Sequence, residues 1–171
     1  MNLPKMYRIR QRFADAKVKN IRETVRSELD RLSWSAIQPG HRVAITAGSR
    51  GIADIAEILG AIVEFLKSLD ADPFLFPAMG SHGGATAAGQ VAMLEQLGVT
   101  EASVKAPIIS SMETEEIGFT EDRVPVFMDK NALAADHIVV VNRIKSHTKF
   151  KAPIESGLMK MMAIGMGKLK G

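Results

Sequence analysis

Four side chains able to do chemistry near neutral pH stand at the borders of apolar runs in this chain: Arg50, His82, His147 and Lys160. Lys160 has the most unusual company, with Leu158, Met159, Met161 and Met162 around it. Such a lysine either snorkels from a half-buried helix or serves as a reactive amine, because burial lowers its pKa and frees the nitrogen lone pair. His82 belongs to Gly80-Ser81-His82-Gly83-Gly84, a loop whose one bulky group is the imidazole, the side chain best poised for proton transfer. His147 lies in a basic loop with Arg143, Lys145, Lys149 and Lys151, which turns at Ser156-Gly157 before it reaches Lys160. Arg50 sits in Gly48-Ser49-Arg50-Gly51. There the glycines either let backbone N–H groups approach an anion at a helix start or simply make a tight strand-to-helix turn.

The elements that must position these groups alternate between strand and helix. The run at 42–46 (RVAIT) is a short β-branched strand, and a helix is expected over 52–69. A second strand at 74–78 leads into the glycine-rich loop at 79–86 and a helix ending before Gly98, a natural C-cap. The acidic stretch at 108–127 has strand-like patches at 107–110 and 124–127, a hairpin or short edge pieces, followed by a helical turn at 131–135 and a fully apolar strand at 138–142. Apolar strands alternating with helices predict an α/β fold with a mostly parallel sheet and helices on both faces, a Rossmann-like three-layer arrangement. Each loaded loop then follows the carboxyl end of a strand, where open parallel sheets bind ligands, so Arg50, His82, His147 and Lys160 are expected around one pocket.

Val18, Ile21, Val25, Leu29 and Leu32 predict an amphipathic helix over 5–32, closed by Trp34 and the Gln38-Pro39-Gly40 turn. Residues 1–38 form this N-terminal unit and 39–171 the α/β domain. The helix offers a face for a partner chain, a homo-oligomer included. The end of the chain, from Met161 on, is apolar with no later element to pack against, so a continuation past Gly171 is expected.

The 171 residues are 46% hydrophobic, enough for one core, and no apolar run is long enough to span a membrane. The N-terminus lacks the apolar centre of a signal peptide, so a cytoplasmic location is expected. With no cysteine, disulfides, thiolate metal sites and cysteine catalysis are excluded within the chain. The net charge of +3 hides segregation: nine basic and four acidic groups at 1–38, and seven basic groups against Glu155 alone at 141–171. Focused positive charge on a loop suits a small anion. A nucleic-acid surface would interleave aromatic residues, and only Phe150 does so here. Glu113, Glu115 and Glu116 read as a solvated face, and His41 and His137, each at a strand start, as structural. Gly165-Met166-Gly167-Lys168 lacks the Ser or Thr of a phosphate loop.

GSRGIA (48–53), PAMGSHGGAT (77–86) and VNRIKSHTKFKAPIESGLMKMMAIGMGK (141–168) resemble the nickel-pincer lactate racemase family, in a branch carried as a domain of unknown function. The resemblance covers about residues 40–171 and implies the N-terminal domain of a 2-hydroxy acid racemase or epimerase. It also implies a cofactor: a nickel ion held in a pincer derived from nicotinic acid mononucleotide and tethered through lysine. On this chain Lys160 matches the tether, His82 and His147 the acid–base pair, and Arg50 a contact to the cofactor or its phosphate. Gly48, Ser49, Gly80, Ser81, Gly83, Gly84, Ser156 and Gly157 are expected to help bind the cofactor, with Arg143 and Lys145 on the substrate anion. The family's protein nickel ligand, a histidine, would lie past Gly171, so no metal ligand is expected within this chain. Departures are Ala47 in place of an acid, Gly83 in place of an arginine, and a longer segment from His147 to Lys160. These keep open a non-catalytic nucleotide- or anion-binding domain on the same scaffold. A nicotinamide-dinucleotide dehydrogenase is a weaker third reading, given the incomplete glycine fingerprint.

Overall fold

A computed structural model describes residues 5–13, 17–145 and 151–171. Its frame is a parallel sheet in which β1 (Arg42–Ala47) lies between β2 (Asp72–Pro77) and β5 (His137–Val139). Ala44 stands opposite Phe74 on one side and Ile138 on the other. Beyond β2, Ile108 makes a parallel bridge to Leu75, with Leu75 N–H donating to Pro107 O at 2.9 Å and Ile109 N–H to Leu75 O at 2.8 Å. The order across the sheet is therefore 107–109, β2, β1, β5, which is half of a doubly wound sheet with its direction of growth reversing between β1 and β5.

β1 is apolar on both faces because both are covered. Val43, Ile45 and Ala47 pack with Leu75 against Leu59, Ile62, Val63 and Leu66 of the crossover helix α2 (Ile55–Lys67). Ala44, Phe74, Phe76 and Ala78 form the opposite face, closed by Ala132 of α5 (Lys130–Leu133) and by Met161 and Met166 near the end of the chain. The expected three layers are present, with one difference. The second face is covered by a short helix and the terminal segment, which does find a surface to pack on.

The N-terminal helix is much shorter than its apolar spacing predicts. α1 spans Ile21–Leu29, started by the Asn20 side chain accepting from Glu23 N–H at 3.1 Å. Val25 and Leu29 pack on the core, and Arg22 pairs with Glu64 at 2.8 Å, so the helix exists where α2 lies beneath it. Val18 and Leu32 have no such surface and are exposed, as are Met6, Tyr7, Ile9 and Phe13. A helix without tertiary support is marginal in water. The face expected for a partner is used against α2. Trp34 closes the element, its indole N–H donating to Leu29 O at 2.7 Å and its ring 5.2 Å from that of Phe65.

Both alternatives for the acidic stretch are realised: it forms an antiparallel hairpin, β3 (Thr114–Phe119) and β4 (Pro125–Asp129), while 107–109 joins the main sheet as an edge piece. Glu115 and Glu116 of β3 are exposed. One strand end differs. β5 stops at Val139, short of the predicted Asn142, because the Thr46 hydroxyl takes the next contact: Val141 N–H donates to its Oγ1 at 2.8 Å. β1 and the chain after β5 thus part beyond their carboxyl ends. His41 and His137 meet at the other end of the sheet, Nδ1 to Nε2 at 3.0 Å, in the structural role expected of them. Among the described residues no helix is long and apolar enough to cross a membrane.

α3 (Ala87–Gln96) starts at Thr86, whose hydroxyl accepts from Gly89 N–H at 3.0 Å. A Cβ on Gly89 would stand 1.9 Å from Gly83 O, and Gly83 has φ +66°. Helix propensity alone would make Gly89→Ala stabilising by about 1 kcal/mol. The backbone contact reverses that sign, and urea denaturation should show a loss of about 1–3 kcal/mol.

Candidate functional site

The parting of β1 from the chain after β5 opens a cavity of ≈ 510 Å³ at the carboxyl ends of the strands. Gly48, Ser49 and Arg50 reach it from the turn after β1, and Met79 and His82 from the loop after β2. Asn142, Arg143 and Lys145 reach it from the chain after β5, and Ser156, Gly157 and Lys160 from the final segment. Ile52, Ile55, Val141, Met161 and Ile164 give it an apolar wall. The cavity therefore occupies the point where strand order reverses, the usual crevice of open α/β sheets.

Nine of the residues singled out in the sequence share this cavity: Gly48, Ser49, Arg50, His82, Arg143, Lys145, Ser156, Gly157 and Lys160. Gly80, Ser81, Gly83 and Gly84 do not line it. Gly80 and Gly83 are occupied with packing instead, Gly80 against Ile164 and Gly83 against the Gly89 backbone. His147 lies outside the described residues. Ser156 and Gly157 also have local work, the Ser156 hydroxyl donating to Lys145 O and Gly157 O accepting from the Asn142 amide at 2.6 Å. These bonds fasten the basic loop to the turn that begins α6 (Leu158–Lys160).

Of the two readings of Lys160, burial of the amine is not what the structure shows. Lys160 is exposed at the cavity, because only Met161 of the flanking apolar residues turns into the core. Leu158 is 42% exposed and Met159 49%, so neither encloses the amine. The four cations of the wall, Arg50, Arg143, Lys145 and Lys160, have no carboxylate partner, and no carboxylate lines the cavity among the described residues. His82 is held by Ser49, its Nδ1 2.5 Å from the hydroxyl. Among the described residues no cluster of three or more His, Cys, Asp or Glu is poised to hold a metal.

The buried lysine is Lys168, at 1% exposure, with Asp129 at 0% beside it. Its Nζ is 3.0 Å from Asp129 Oδ2, donates to Gln90 Oε1 at 3.1 Å and also donates to Pro77 O. Asp129 Oδ1 meanwhile accepts from Asn131 and Ala132 N–H at 2.8 and 3.1 Å, capping α5. The sequence held a usable signal. Lys168 too stands in an apolar, Met-rich run, and its flanking glycines serve close packing: a Cβ on Gly165 would lie 2.6 Å from Ala78 O.

The chain matches no protein-family model, no curated protein and no solved structure. What the arrangement offers chemically follows from its parts: an anion-attracting wall, an accessible primary amine and an oriented imidazole beside an apolar surface.

Burial lowers the Lys168 pKa from its ordinary 10.5, with the Asp129 carboxylate opposing the shift. The unfolded lysine keeps its proton up to that ordinary value, while the native protein releases it sooner. Between the two, the unfolded state binds more protons, so Lys168 adds native stability as pH rises and ceases to do so above 10.5. Urea unfolding across alkaline pH should show this gain in the wild type relative to Lys168→Met. A difference between the two that stays flat would contradict it.

Proposed function

We propose that this chain is the cofactor-tethering domain of a nickel-pincer-dependent 2-hydroxy acid racemase or epimerase, binding an anionic mononucleotide derivative in the cavity at the strand ends. The observation that carries this is the set of unpaired cations, Arg50, Arg143, Lys145 and Lys160, around a cavity that also holds His82 and no carboxylate among the described residues. A volume of ≈ 510 Å³ lies within the usual range of small-molecule sites. The described residues fit the nucleotide part of the group, and they supply no cluster for the metal part.

In this reading Lys160, exposed on the wall, is the tether. Arg50 holds a phosphate, with the turn at 48–51 offering backbone close by. Arg143 and Lys145 hold the substrate carboxylate. His82 takes or returns the proton of the substrate hydroxyl, with Ser49 fixing its ring, and His147 is the opposing acid–base group that the family resemblance implies. The bound cofactor would supply reversible hydride acceptance from the substrate carbon. The apolar wall of Ile52, Val141 and Met161 limits water around these polar groups, which strengthens each charge interaction. Incubation with the cofactor-making enzymes should add mass to the protein, and Lys160→Ala should abolish the adduct. A wild-type chain that stays unmodified would sink the reading.

One observation favours a second reading, a non-catalytic anion-binding domain. At Gly83, where the family carries arginine, a Cβ would meet Gly89 C at 2.5 Å, so this position has no room for that side chain. On this reading inorganic phosphate binds about tenfold or more weakly to Arg50→Ala, the loss of a charged hydrogen bond, and equally well to His147→Ala. Isothermal titration of both variants decides, and equal losses would argue against it.

A further inference from the structure

The Lys168 amine and the His82 loop are joined through one buried side chain. Gln90, fully buried in α3, accepts from Lys168 Nζ with its Oε1 at 3.1 Å. With its Nε2 it donates to Gly80 O at 2.8 Å and to His82 O at 3.3 Å. An amide can make these contacts in one orientation only. Turned over, it would set its oxygen against two carbonyl oxygens and its NH2 against an amine that has no acceptor to offer when protonated. Lys168 and the two loop carbonyls thus demand the same Gln90 orientation, Lys168 anchors the amide's oxygen end, and Asp129 with Pro77 O holds Lys168 in place. The same terminal segment reaches the loop directly, Gly80 N–H donating to Gly165 O at 3.2 Å. On its far side the His82 ring meets Ser49, which leaves Nε2 without a partner among the described residues.

We infer that Lys168 is a positioning residue for His82, acting through Gln90, and that the buried Asp129–Lys168–Gln90 relay fixes the imidazole relative to the terminal segment that carries Lys160. Lys168 is distant in sequence from His82 and touches neither the cavity nor the ring. Its effect is transmitted by the amide. The inference rests on the cavity reading only in treating His82 as a functional group, and it is tested without any cofactor.

The test is the imidazole Cε1–H spectrum of the whole protein at fixed pH, in wild type, Lys168→Met and Gln90→Glu. Gln90→Glu keeps the acceptor for Lys168 and removes the donor to the loop, so the two variants break the relay on opposite sides. Both should displace or broaden the His82 resonance and leave those of His41 and His137, at the far end of the sheet, where they are. Should Lys168→Met fail to fold, Gln90→Glu still gives the decision. A His82 signal unchanged in a folded variant overturns the inference, and so does an equal disturbance of His82, His41 and His137, which would mean general loosening. A missing adduct on Lys160 would leave this result untouched.

Discussion

A buried amine joins four elements behind the second sheet face of this fold. Lys168 joins the end of β2 through Pro77 O, α3 through Gln90, and the β4–α5 junction through Asp129, while belonging itself to the last turn of the chain. Taking two charges out of water is costly, and hydrogen bonds to the groups around the pair offset part of that cost. Here Asp129 spends its other oxygen on the α5 start and its N–H on Met166 O at 2.8 Å. Breaking a pair of this kind from one side costs about 3–5 kcal/mol, because the surviving charge is left buried. The second sheet face depends on it, since the elements that cover Phe76 and Ala78 are short and have little packing area of their own.

The cavity results from a different local event. Parallel strands stay paired while backbone groups have partners, and the Thr46 hydroxyl ends the β1–β5 ladder by offering Val141 an alternative one. From that point the basic loop is free to carry Arg143 and Lys145 away from the sheet toward Ser156 and Lys160. Charge and shape therefore come from separate causes. The opening follows from one buried threonine, and its positive character follows from loops that present cations to the cavity and, among the described residues, no carboxylate.

Much of this was legible in the sequence, for reasons that can be named. RVAIT at 42–46 is β-branched and unbroken, so β1 could be read directly, though not its central place, and Gly98 marked the end of α3. The loops at strand ends followed from topology, which is why Arg50, His82 and Lys160 could be gathered from the sequence, together with His147, which lies outside the described residues. Periodicity overreached at α1, where spacing suggested about eight turns and tertiary support existed for two or three. It also misjudged the two lysines of the terminal segment. Flanking residue types cannot say which way a side chain turns, and Gly165, weighed only as part of an incomplete phosphate loop, lets the terminal segment pack closely against Ala78 O. Gln90 carried no local signal, because its importance lies in what meets it across the fold.

Trp34 has a practical consequence of its own. It is the chain's only tryptophan, seated against Phe65 and the last carbonyl of α1, on the sheet face away from Met161 and Lys168. Its fluorescence is therefore a built-in optical gauge of whether the first helix is docked. A small molecule entering at the strand ends does not touch that ring, so an emission change on ligand addition would signal rearrangement carried through the sheet.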